Sequence, residues 1–424
     1  MDARFSTVDW AIDATIYEVN IRQYTEEGNF SAFQKHLPRL KEMGVDILWL
    51  MPITPISHKG MKGSLGSYYA CSSYTKINPE FGTETDFLNL VNAAHALGMK
   101  VIIDWVANHT GCKHEWMDTH PDWFARNAAG EFTERNGWDD VVDLNYSNSE
   151  MRNALIGSMQ YWVRDFKIDG FRCDMAHLVP LDFWMDARKA VETIHPLYWL
   201  AECEQVEYHR VFDTTYAWAL MHASEKLSKQ EVGIHEIYNV LHDYSQYPQG
   251  ASKLLFTSNH DENSWNGTEY EKFGIAAKAW AVFTQTWKGI PLIYSGQELP
   301  NLKRLAFFDK DLIDWHLSGS IVQPALHEFY KTLSSFRKSH TAITSGATFN
   351  LPVSANGVMA YIRTDEKSTV LVVLNLSTHH HRIHLAHEQL KGNFKNVFSG
   401  FSYPFNNDVP FELMPGEFFV YAKG

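Results

Sequence analysis

The chain has 424 residues, 45% of them hydrophobic and 21% charged, with a formal net charge of −13. That length suits one large domain plus a small one, and the composition is that of an ordinary globular protein. The acidic balance argues against nucleic acid and anionic membrane surfaces as partners, because affinity for phosphate backbones comes largely from Lys and Arg.

From the N-terminus, "TIYEVN" (15–20) is the first strand candidate, followed by a helical repeat over 30–43 in which Phe30, Phe33, Leu37, Leu40 and Met43 recur at three- or four-residue steps. "KEMGVDILWL" closes that helix with a glycine and enters a second strand, 45–51. The same arrangement returns twice. A helix over 84–97 leads through "HALGMKVIID" into strand 99–104, and a helix over 151–166 leads through "DFKIDGFRCD" into strand 168–174. "LYWLAE" (197–202), a weaker "RVFDTTY" (210–216), "LLFTSN" (254–259) and "IPLIYSG" (290–296) complete eight. Eight strands separated by helices fit an α/β fold, a (β/α)8 TIM barrel. An open doubly wound sheet is the competing topology, and the Gly-rich phosphate loop of its dinucleotide-binding version is missing.

Two stretches break the rhythm. Residues 105–147 are too long for a connecting loop, so a small inserted subdomain is expected after strand three. From about residue 344, "GVMAYIRT", "STVLVVLNLS", "RIHLA", "NFKNVFSG" and "FFVYAK" read as short strands between turns, a C-terminal antiparallel β-sandwich. The expected domains are a catalytic barrel over 1–104 and 148–343, the insertion over 105–147, and the sandwich over 344–424. Four widely spaced cysteines, Cys71, Cys112, Cys173 and Cys203, do not form a disulfide framework. Free thiols are expected, with Cys71–Cys112 the one pairing to check. No run is long enough to span a bilayer, and the N-terminus lacks the order of a signal peptide. A cytoplasmic protein is expected, or a secreted or periplasmic mature form already without its signal peptide.

A barrel of this type carries its active site at the C-terminal ends of the strands. Strand three ends in Asp104, Asn108 and His109; strand four in Arg172 and Asp174; strand five in Glu202; strand seven in Asn259, His260 and Asp261. Arg172 and Asp174 are two apart and so share a face. A strand-end pair of this kind is either an ordinary salt bridge or an aspartate held ionised for chemistry. Four strands delivering carboxylates, histidines and an arginine to one rim favour chemistry, and the residue types suit glycoside hydrolysis by two carboxyl groups. Asp174, beside Arg172, suits the ionised nucleophile. Glu202 has no basic neighbour in sequence, which permits the raised pKa of a general acid.

"DWVANH", "GFRCD", "AECE" and "FTSNHDEN", in that order and spacing, resemble the four signature regions of the α-amylase superfamily, glycoside hydrolase family 13. "GSYYACSSYTKINPEFGTETDF" (66–87) and "VVDLN" (141–145) resemble two further stretches of it. The resemblance implies Asp174 as nucleophile, Glu202 as general acid/base and Asp261 as the third carboxylate, which binds the sugar under attack. It implies Arg172 as the residue orienting the nucleophile, His109 and His260 as ligands of sugar hydroxyls, Tyr68 as the ring stacked beneath the sugar, and Asp104 as a structural aspartate near the arginine. The chain departs from the family where many members have Lys-His: here stand His177 and Leu178. No cofactor is implied for the chemistry. A structural calcium ion is an expectation of the resemblance, since Asn108 and Asp143 match calcium-ligand positions. Two other groupings are poor metal sites. "HTGCKH" offers His109, Cys112 and His114 without a fourth ligand at zinc spacing, and "THHHRIH" (378–384) puts its histidines on alternating strand faces. The expected activity is retaining hydrolysis of α-1,4-glucosidic bonds in starch-like glucans or maltooligosaccharides. The alternatives are an α-glucosidase or a transglycosylase or isomerase of short α-glucooligosaccharides, and a non-catalytic carbohydrate-binding homologue. The α-glucan is the only partner expected; the sequence sets no oligomeric state.

Overall fold

The computed structural model describes residues 5–299, 301–315 and 322–424. Eight parallel strands close into a barrel in chain order: β1 (Ile16–Val19), β2 (Ile47–Leu50), β3 (Lys100–Trp105), β4 (Gly170–Cys173), β5 (Tyr198–Ala201), β6 (Thr214–Tyr216), β7 (Ser252–Leu255) and β8 (Ile290–Tyr294). All eight fall within or beside the stretches expected from sequence. Nearly every strand residue is buried, as parallel strands covered on both faces require. The chain forms two compact units. Met1–Ala11, Ile16–Tyr216 and Leu305–Asp314 make the first; Ile12–Thr15, Ala217–Arg304 and Trp315–Gly424 make the second.

In the first unit, the helix expected over 30–43 is two helices, Phe30–Gln34 and Leu37–Met43. Pro38 has no N–H to give to the carbonyl of Gln34, so the first helix ends and a new one starts on it. Gly44, at φ 97°, ends that second helix in the left-handed conformation. The helix Glu84–Ala96 starts on a capping box of Thr83 and Asp86, and Ser149–Phe166 starts on Asn148. The third glycine expected as a cap plays a different part. The left-handed position after Phe166 belongs to Lys167, at φ 56°. Gly170 opens β4, where a Cβ would run into the carbonyl oxygen of Tyr198 on the neighbouring β5. Its role is close strand approach. After β3, the strands His109–Gly111 and Val141–Asp143 pair antiparallel around a short helix, Glu115–Thr119. None of the four cysteines is in a disulfide, Cys71 and Cys112 included.

In the second unit, β7 ends earlier than the sequence suggests, leaving 256–259 as an irregular segment. Thr257 there is tied to Glu269, which accepts from Thr257 Oγ1 at 3.1 Å and from Gln297 Nε2 at 2.6 Å. Burial pushes the Glu269 carboxyl up to about 7, against the opposing pull of these hydrogen bonds and Lys272. The C-terminal part is antiparallel. Strands β9 (Ala347–Leu351), β10 (Val358–Thr364), β11 (Thr369–Asn375), β13 (Gly392–Asn396), β14 (Ser402–Phe405) and β16 (Phe418–Lys423) form one sheet in the order β9-β10-β11-β16-β13-β14. Strands β12 (His381–Ala386) and β15 (Asp408–Leu413) form a second. Leu371 and Val373 of the first sheet share one core with Ile383, Val409 and Phe411 of the second, which makes a sandwich. The histidines of 378–384 go separate ways: His380 to Glu412, His384 to Asp408 and His381 to Ser377. Among the described residues no helix is long and apolar enough to cross a membrane.

Two stability predictions follow from these positions. Gly170→Ala should cost about 1–3 kcal/mol in urea unfolding through the forced strand separation, whereas Lys167→Gly should be neutral or stabilising. Glu269 has a folded-state pKa above its unfolded value, so its contribution is complete below about pH 4.5 and is lost as pH rises through about 7. Glu269→Gln should therefore flatten the fall in melting temperature between pH 5 and pH 8; an unchanged slope would show that Glu269 is not the titrating group.

Candidate active site

The centre of the first unit's site is Arg172, the third residue of β4, whose side chain is wholly buried. Its position follows from register: Arg172 lies directly across from Asp104 of β3. Nη1 donates to both oxygens of Asp104 at 3.0 and 3.1 Å and to Asp174 Oδ1 at 3.0 Å. Nε donates to the Tyr216 hydroxyl at 3.2 Å. Nη2 lies 2.9 Å from Glu202 Oε2, an ion-pair distance without hydrogen-bond alignment. The guanidinium also sits over the rings of Trp49, Tyr216 and Tyr69, with centroids at 4.8, 5.5 and 5.8 Å. Burial opposes its charge, but Asp104, then Tyr216, Glu202 and Tyr69, hold its pKa well above the ordinary arginine value.

Asp104 is saturated, since its Oδ2 also accepts from Trp49 Nε1 and Tyr69 OH, both at 3.1 Å. Asp174 and Glu202 are each 8% exposed at the side chain. Glu202 Oε2 accepts from the Met175 N–H at 3.0 Å, and its carbonyl from Ala176 N–H at 3.1 Å. Met175 has φ 41°, an uncommon conformation for a residue with a side chain. Glu202 thus braces the turn that carries Asp174. In sequence Glu202 has no basic neighbour, but in space Arg172, thirty positions away, stands beside it through the pairing of β4 with β5.

His109 follows β3 and is 3% exposed. Burial pulls its imidazole down to about 4, outweighing a hydrogen bond with the Tyr69 backbone and the charge of Glu134. It is therefore neutral at pH 7, with Nδ1 3.1 Å from Asn108 Nδ2. Tyr68 is 1% exposed, with the Arg22 guanidinium 4.3 Å from its ring centroid. Asn108 and Asp143 do meet, Nδ2 to Oδ1 at 3.3 Å, but the other Asp143 oxygen accepts from Arg135 Nε at 2.7 Å. His114 is buried apart from His109, with Nδ1 accepting from Trp116 N–H at 3.2 Å. In the second unit, His260 is buried and its Nε2 lies 3.3 Å from Asp261 Oδ2; the Asp261 side chain is 36% exposed.

Sequence reading missed the cage of Trp49, Tyr69 and Tyr216 around Arg172, the strained Met175, and Arg135. Tyr69 adjoins Tyr68 in a quoted stretch and was within reach. Nothing in the sequence pairs Arg135 with Asp143.

The family model described as "Alpha amylase, catalytic domain" matches residues 12–128 and 119–314, and that of "Maltogenic Amylase, C-terminal domain" matches 350–420. The chain is 26% identical over 392 residues to the alpha-amylase MalA of Haloarcula japonica, covering 87% of this chain and 56% of that protein. It spans between 56% and 65% of the length of the first curated relatives it matches. The crystal structure of a noncanonic maltogenic alpha-amylase, AmyB from Thermotoga neapolitana, superposes with a TM-score of 0.89 at 30% identity over 97% of this chain and 99% of that one. An alpha-amylase from Lactobacillus plantarum does so with a TM-score of 0.88 at 29% identity, over 98% and 100% of the two chains. By its signature regions, its barrel and these matches, the chain belongs to the α-amylase superfamily, glycoside hydrolase family 13.

Proposed function

We propose that this chain is a retaining glycoside hydrolase cleaving α-1,4-glucosidic bonds of starch-like glucans or maltooligosaccharides. The observation that carries the reading is one buried guanidinium, Arg172, set against both Asp174 and Glu202. Hanging two carboxylates on one cation keeps them close, as a retaining pair at about 5–5.5 Å needs. Asp174, ionised by Arg172, attacks the anomeric carbon and forms a covalent glycosyl-aspartate, while Glu202 gives its proton to the leaving oxygen. Glu202 then takes a proton from water, which attacks the same carbon and frees Asp174.

The remaining roles are part of this proposal. Asp261 binds the sugar as positive charge develops, His109 and His260 bind its hydroxyls, and Tyr68 packs beneath it. The neutral state of His109 supports hydroxyl recognition without added charge. Residues 1–104 and 148–343 serve as the catalytic barrel, 105–147 as a subdomain and 344–424 as the C-terminal domain. No cofactor enters the chemistry. The calcium expected from the resemblance is not part of the reading, because Asn108 and Asp143 do not make a donor set for it.

A timed product profile on soluble starch and on maltoheptaose tests this reading. A broad early spread of oligosaccharides means endo action in an open cleft. Glucose or maltose alone means an oligosaccharide-directed pocket, and products longer than maltoheptaose mean transglycosylation. Glu202→Gln should lower kcat by about 10²–10⁴ without unfolding the protein. If wild type and variant are equally inert on every α-glucan, the hydrolase reading fails.

A further inference from the structure

We infer that Arg135 takes the place, in this chain, of the structural calcium expected at Asn108 and Asp143, a built-in cation that neutralises Asp143 and pins the short strand that begins at His109. Asp143 is wholly buried, while the arginine that reaches it remains 65% exposed. Its Oδ2 accepts from Arg135 Nε at 2.7 Å and its Oδ1 from Asn108 Nδ2 at 3.3 Å. A calcium ion asks for about six to eight oxygens. Among the described residues the two side chains here are Asn108 and Asp143, and that carboxylate already carries a guanidinium. Among the described residues no three His, Cys, Asp or Glu side chains are grouped to hold a metal ion.

The pair lies where four segments meet. Asp143 is opposite His109 in the antiparallel strands after β3. Leu144 N–H donates to the Asn108 carbonyl at 3.0 Å, Asp143 N–H to the Thr133 carbonyl at 3.1 Å, and Ala125 N–H to the Asp143 carbonyl at 2.8 Å. A cation on Asp143 therefore fixes residues 108–109, 125, 133–135 and 141–144 together. Without Arg135 a buried carboxylate would stand uncompensated, a strongly destabilising arrangement. Asn108 Oδ1, buried and without a hydrogen-bond partner, would then face it as a second oxygen. A hard cation from solution would become the natural replacement.

Thermal melting of the full chain in EDTA and in millimolar calcium chloride tests this, and it needs no assumption about the reaction. The wild type should melt at the same temperature in both. Arg135→Gln should melt about 5 °C lower in EDTA, with calcium restoring most of the loss and magnesium restoring less. Arg135→Lys, which keeps the charge, should stay indifferent to calcium. If Arg135→Gln folds only when calcium is supplied, the inference also stands. It is overturned if the wild type loses stability in EDTA and regains it with calcium, or if Arg135→Gln is destabilised yet unresponsive to calcium, which would reduce Arg135 to an ordinary ion-pair partner.

Discussion

A single buried guanidinium organises the first unit. Arg172 sits between Asp104 on β3, Asp174 after β4 and Glu202 after β5, with three aromatic rings around it. Taking such charges out of water costs several kcal/mol per ion, and packed apolar side chains of the same volume would often give a more stable protein. The cluster therefore makes poor sense as a stabiliser. It makes sense as a device that holds two carboxyl groups close together beside one cation.

The rest of the first unit can be understood as support for that arrangement. Asp104 spends its oxygens on Arg172, Trp49 and Tyr69 and so anchors the cation. Gly170 lets β4 and β5 approach closely enough to bring Arg172 toward Glu202. Glu202 in turn accepts the Met175 N–H and steadies a left-handed turn just past Asp174. A strained residue persists only where its surroundings over-determine it, and here they do so through the Glu202 carboxyl.

How much of this was legible depends on the range of the interaction. The eight strands were readable because parallel strands buried on both faces appear as short apolar runs, and Gly44 and Gly98 punctuate two of the junctions with φ of 97° and 69°. The third junction misled: Lys167 took the cap, and the glycine answered a contact with β5 that sequence does not display. Asp104, Arg172 and Asp174 were legible because strand alternation and strand ends are local properties. The contact of Arg172 with Glu202 was not, because it depends on the pairing of two strands separated by a helix. The helix over 30–43 failed for the opposite reason. Its apolar period is correct, yet one proline outweighs periodicity by removing a donor.

Several of this chain's carboxylates meet an arginine, while others meet a lysine, as Glu262 meets Lys272 and Asp169 meets Lys100. Arg22 meets Glu80, Arg188 meets Asp213, Arg135 meets Asp143 and Arg172 meets its three carboxylates. A planar guanidinium presents five donors in a rigid fork and gives up its hydration more readily than an ammonium. It can therefore satisfy a buried carboxylate from one direction while its other nitrogens reach a backbone carbonyl, as Arg188 does with Ser6, or a hydroxyl, as Arg172 does with Tyr216. Asp261 of the second unit keeps a third of its side chain in water and stands beside His260, whereas Asp174 and Glu202 are each 8% exposed and held against Arg172.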